Sequence, residues 1–126
     1  MTKVISTSKA PAAIGPYSQA IQVGNLMFVS GQLAIDPKTG TIVESHIVGQ
    51  TKQVMKNIES ILEEAKAGLD NIVKTTIFIK DMEQFPAVNE VYASFLSKHF
   101  PARSTVEVSR LPKDALIEIE VIANID

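Results

Sequence analysis

The stretch RSTVEVSRLPKDALIEIEVIA, Arg103 to Ala123, holds two alternating runs separated by a loop that contains a proline. Strand side chains point to opposite faces with a period of two, so Arg103, Thr105 and Glu107 share one face and Val106 and Val108 the other. From Leu116 to Ala123 the pattern repeats, with Ile117, Ile119, Val121 and Ala123 on one side and Glu118 and Glu120 on the other. Pro112 and Asp114 mark a short turn between them, and the two runs predict an antiparallel hairpin. That pairing lays Glu118 and Glu120 near Arg103 and Thr105. A cross-strand ion pair on a wet sheet face and a chemical site both fit such a cluster.

Working outward, Ser18 to Val23 and Leu26 to Ser30 flank Gly24-Asn25, a tight hairpin signal, and Pro37 to Gly40 is a second turn. Between Ile47 and Ala67 the residues Val54, Ile58, Ile61, Leu62 and Ala65 recur at helical spacing, and Gly68 marks the expected stop. Val73 to Lys80 reads as a strand. Pro86 suits the first turn of a second helix whose Val88, Val91, Tyr92 and Phe95 form a stripe. The order is ββαβαββ, preceded by a short strand at Lys3 to Ser6.

The chain has 126 residues, 45% of them hydrophobic, enough for one domain with its own core, and no linker or repeat divides residues 1–126. A net charge of -2 with scattered cations argues against a nucleic-acid partner. The absence of cysteine removes disulfides, thiolate catalysis and cysteine-ligated metals together. No signal-like apolar run opens the sequence and none approaches the ~20 residues that span a bilayer, so the expected location is the cytosol, away from membranes. His46 and His99 lack partners at metal-ligand spacing, so no metal is expected, and neither a P-loop nor a G-x-G-x-x-G stretch occurs.

Two helices cover one face of a sheet of about six strands. Yet LMFV (Leu26 to Val29) and IFI (Ile77 to Ile79) are continuous apolar runs, which suits strands covered on both faces. A second copy of the chain is the simplest cover, so the helix-free faces are expected to meet in a homo-oligomer. The helices should take the face of Val106, Val108, Ile117, Ile119 and Val121. Arg103, Thr105, Glu118 and Glu120 should then line the seam, where unpaired charge is costly and a functional role gains weight.

IGPYSQA (Ile14 to Ala20), FVSGQ (Phe28 to Gln32), VKTTIFIKDM (Val73 to Met82), VNEVY (Val88 to Tyr92) and PARSTVEVSRLPKDALIEIEVIA (Pro101 to Ala123) together resemble the Rid family of reactive-intermediate (imine) deaminases, over nearly the whole chain. The resemblance implies an α+β, chorismate-mutase-like mixed sheet with two helices on one face, sheets meeting in a homotrimer, and three pockets between subunits. It implies hydrolysis of 2-imino acids, derived from 2-aminoacrylate or 2-aminocrotonate, to 2-oxo acids and ammonia, with no cofactor.

Arg103 matches the family arginine, and a guanidinium can clamp the substrate carboxylate through two parallel hydrogen bonds. Glu118 occupies the family position that orients and activates water, with a pKa raised by the seam and opposed by Arg103. Tyr17 matches a pocket-lining residue; a packed tyrosine with a satisfied hydroxyl is the alternative. Ser30 and Gly31 end a strand where glycine allows either close approach to a ligand or a bulge. Asn89 lies at the margin of the second helix's stripe, a substrate contact or a solvated flank. Thr105 departs from the many relatives with cysteine there; a backbone N–H role survives that change, a thiol role does not. The same arginine-lined pocket would also suit a non-catalytic sensor of small carboxylates acting through a partner protein. Kinship to chorismate mutase is a third reading, on fold analogy alone.

Overall fold

The structure is a computed structural model and describes residues 2–125. Six strands, β1 (Thr2–Ile5), β2 (Ala20–Val23), β3 (Leu26–Gln32), β4 (Ile72–Ile79), β5 (Ala102–Glu107) and β6 (Ile117–Asn124), form one sheet in the order β1-β2-β3-β6-β4-β5. Helices α1 (Ile47–Glu64) and α2 (Phe85–Ser94) lie on one face, giving a mixed α+β domain in which the short first strand is present.

The expected turns hold. Gly24 takes φ +58 between β2 and β3, and Gly40 takes φ +74 at the end of the second turn. The left-handed region costs a glycine nothing, since it carries no Cβ. Helix α1 buries Val54, Ile58, Ile61 and Leu62 of the expected stripe, with Met55 beside them, while Ala65 is the C-cap and only partly buried. Its N-cap is His46, whose Nδ1 accepts from Gly49 N–H at 3.1 Å. The helix stops earlier than Gly68 would place it. Lys66, not the glycine, takes the left-handed conformation at φ 60, and the N–H of Ala67 turns back to the carbonyl of Leu62. Pro86 sits in the first turn of α2 as its fixed φ favours.

Two expectations fail. β5 and β6 do not form a hairpin: β5 pairs in parallel with β4, and β6 runs antiparallel between β3 and β4. The reason is α2, which makes β4-α2-β5 a crossover unit and leaves the 108–116 segment to carry the chain past β4. The faces of β5 are reversed as well. Thr75 is flanked by Arg103 and Val121, and Ile77 by Thr105 and Ile119, so Arg103 and Thr105 lie on the helix face. Phe78 is flanked by Val106 and Glu118, so Val106 joins Glu118 and Glu120 on the open face. β5 is an edge strand whose Arg103 meets Phe85, Asn89 and Tyr92 of α2, and local alternation cannot distinguish a helix flank from water.

The core is made where both helices press on Met27, Val29, Ile77, Ile79, Ile117, Ile119 and Val121, all buried. Burying each of these side chains contributes roughly 1.5–3 kcal/mol. On the opposite face Leu26 and Phe28 remain 42% and 44% exposed, with Val4, Val23 and Val106 also open. Each continuous apolar run therefore splits, one half facing the helices and the other left without cover.

Candidate functional site

The sequence-predicted residues fall into two groups on opposite faces of the sheet. On the helix face, at the outer edge, Arg103 Nη1 donates to Asn89 Oδ1 at 2.8 Å. Its guanidinium carbon lies 5.0 Å from the Phe85 ring centre and 5.3 Å from that of Tyr92. Tyr92 is itself fixed, its hydroxyl donating to Thr75 Oγ1 at 2.9 Å inside the core. Burial holds the Tyr92 phenol above its ordinary pKa, the Thr75 hydrogen bond and then the Arg103 charge pulling the other way, so it stays protonated at neutral pH. Phe100, Pro101 and Ala93 complete a cleft of about 410 Å³ beside Arg103, and Thr105 follows it two residues along the same face of β5. Among the described residues no carboxylate pairs with Arg103.

The second group centres on a break in β3. Val29 faces Val121 and Gln32 faces Ile119, so three steps on β3 match two on β6 and Ser30-Gly31 forms a bulge. Ser30 is anchored there by its hydroxyl, which donates to the Ser18 carbonyl at 2.6 Å. Gly31 has a steric purpose. A Cβ at this position would collide with the Glu118 carboxylate, with Cδ only 2.8 Å away. The missing side chain is the space that Glu118 occupies. Gly31 and Tyr17 also line a second cavity of about 400 Å³, mostly apolar, with Ile14, Pro112 and Lys113 at its wall. Tyr17 is exposed rather than packed, which disfavours the purely structural alternative.

Glu118 is half-buried on the open face, and its carboxyl is raised above the ordinary range first by burial and then by the neighbouring charge of Glu120. The expected opposition from Arg103 is absent, because in one chain the arginine lies across the sheet from it. A carboxyl pushed upward is a better proton acceptor and can hold the proton for return, the requirement of an acid-base group near neutrality. Among the described residues no group of three or more His, Cys, Asp or Glu could hold a metal ion, and no helix is long and apolar enough to cross a membrane.

The profile of the family described as endoribonuclease L-PSP matches residues 7–125. The chain belongs to the Rid/L-PSP family. A RutC family protein of Pyrococcus abyssi is 58% identical over 121 residues, covering 96% of this chain and 95% of that protein. A 2-iminobutanoate/2-iminopropanoate deaminase of Escherichia coli is 49% identical over 126 residues, covering 98% of each. Among solved structures, the Rid family protein YyfA from Yersinia pestis superposes with a TM-score of 0.97 at 53% identity, covering 99% of this chain and 100% of that one.

Within this Rid chain, sequence reasoning missed Phe85, Tyr92, Phe100 and Lys113 as neighbours of the site. Phe85, Asn89 and Tyr92 stand at i, i+4 and i+7 on α2, a stripe legible in retrospect. Lys113 carries its own signal only in three dimensions, a non-glycine residue at φ 59 in the β5–β6 connection.

Proposed function

We propose that the protein hydrolyses reactive 2-imino acids to 2-oxo acids and ammonia, in sites that two copies of the chain build together in a homotrimer. The observation that carries the reading is the division of the site. Arg103 and Glu118, the carboxylate clamp and the proton acceptor, lie on opposite faces of one sheet, Arg103 in the wall of one cleft and Glu118 against Gly31, which lines the other. A second copy laid against the open face would cover Leu26, Phe28 and Val106 and could bring its Arg103 edge to this chain's Glu118.

In such a site Arg103 holds the substrate carboxylate and so fixes the C=N carbon. Glu118 accepts a proton from water as the water oxygen bonds to that carbon and the π electrons move to nitrogen. The carboxylic acid then returns the proton to nitrogen, the C–N bond breaks, and the remaining hydroxyl collapses to the carbonyl as its proton leaves with ammonia as ammonium. Overall an iminium and water give a 2-oxo acid and ammonium, with no electrons gained or lost and no cofactor called for. Thr105 serves through its backbone, while Tyr17, Ser30 and Gly31 shape the wall opposite Arg103. The family description names a ribonuclease, but a net charge of -2 and small clefts favour a small acid over RNA.

The test is the release of ammonia and oxo acid from 2-aminoacrylate generated enzymatically in situ, with the spontaneous rate subtracted. Turnover above that background is expected. A chain that binds 2-oxobutyrate but never exceeds the spontaneous rate would be a carboxylate sensor instead.

A further inference from the structure

The face of α2 that looks at β5 holds an aromatic ring, an amide and a second aromatic ring in one line: Phe85, Asn89 and Tyr92. All three touch the same guanidinium, the amide at 2.8 Å and the ring centres at 5.0 and 5.3 Å. An arginine on an exposed edge strand would ordinarily sample many rotamers, and holding it in one has an entropic cost. Here two ring faces attract the cation and displace water from it, while Asn89 takes one of its five N–H donors. The Nε and Nη2 edge carries no protein acceptor among the described residues. That edge is a planar two-donor fork, the geometry that matches a carboxylate.

We infer that Phe85 and Tyr92 are positioning residues which, with Asn89, hold Arg103 so that its Nε and Nη2 edge meets the substrate carboxylate. This rests on the deaminase reading for the identity of the substrate, but the order imposed on Arg103 does not. Asn89 thereby changes role, from a direct substrate contact to the acceptor that orients the clamp. Tyr92 is the fixed wall, because its hydroxyl is tied to buried Thr75; Phe85 is the outer wall, partly buried and packed against the margin of the core.

Two measurements on the full-length protein test this. The first is nitrogen NMR of the Arg103 side chain without ligand. Slow rotation of the guanidinium is expected in wild type, and faster rotation in Phe85→Leu and in Asn89→Ala. The second is calorimetric titration with 2-oxobutyrate alongside initial rates. Phe85→Leu should weaken binding and raise KM by about threefold to tenfold with kcat nearly unchanged, since the clamp grips ground and transition states alike. Phe85→Tyr, which keeps a ring, should restore both. Unchanged guanidinium rotation in Phe85→Leu would overturn the inference, as would Phe85→Tyr binding as weakly as Phe85→Leu. Normal rotation effects in a protein that neither binds nor hydrolyses would instead indict the deaminase reading and leave the cradle standing.

Discussion

Glu118 shows how one side chain reports on its surroundings. Burial, then Glu120, raise its folded pKa above the unfolded value. Between those two values the folded protein holds a proton that the unfolded chain has released, so stability falls as pH rises through the window and levels off above it. Glu118→Gln removes that titration. Its melting temperature relative to wild type should therefore climb as pH rises from the ordinary carboxylate range through the raised pKa, then stay constant. A difference between the two proteins that does not vary with pH would show that Glu118 titrates normally. The sequence reading set burial, which raises this pKa, against Arg103, which lowers it, and drew no net direction. Within one chain the neighbour differs from the expected one, since the charge that acts on Glu118 is Glu120 and not Arg103, and no alternation pattern says which strand intervenes.

Elements were legible where one local rule dominates. Helix α1 announced itself because Val54, Ile58, Ile61 and Leu62 must face one way, and the structure buries all of them. The β5–β6 relation was not legible. Two alternating runs joined by a proline loop read identically whether they pair or whether β4 lies between them, and only the packing of α2 decides. Of the two options for Ser30-Gly31 the structure shows the bulge, and the close neighbour of Gly31 is the Glu118 side chain. Gly31→Ala tests it. The obstructing group is a flexible side chain and not backbone, so the fold should survive with a small change in melting temperature while Glu118 is displaced. A displacement near 1 Å at the chemistry can lower turnover by about 10²-fold, and that is the expected scale. Turnover within twofold of wild type would mean that the carboxylate does not need its seat on the bulge.

At the scale of the whole molecule, Val4, Val23, Leu26, Phe28 and Val106 leave one sheet face apolar and open. A patch of this kind marks an interaction surface. The expectation of a second copy came from two helices set against doubly apolar strands; the separation of Arg103 from Glu118 was not legible, because assigning Arg103 to the helix face required the β4–β5 register. With the arginine and the glutamate on opposite faces, each active centre should take one from each of two chains. Arg103→Ala and Glu118→Gln, each inactive alone, therefore provide the most direct test when unfolded together and refolded as a mixture. Random assembly at equal amounts pairs an intact arginine with an intact glutamate in about a quarter of the sites of a closed ring, so activity should return to about a quarter of wild type. If the mixed trimers show no more activity than the separate variants, Arg103 and Glu118 do not meet across the interface, and the shared site is wrong.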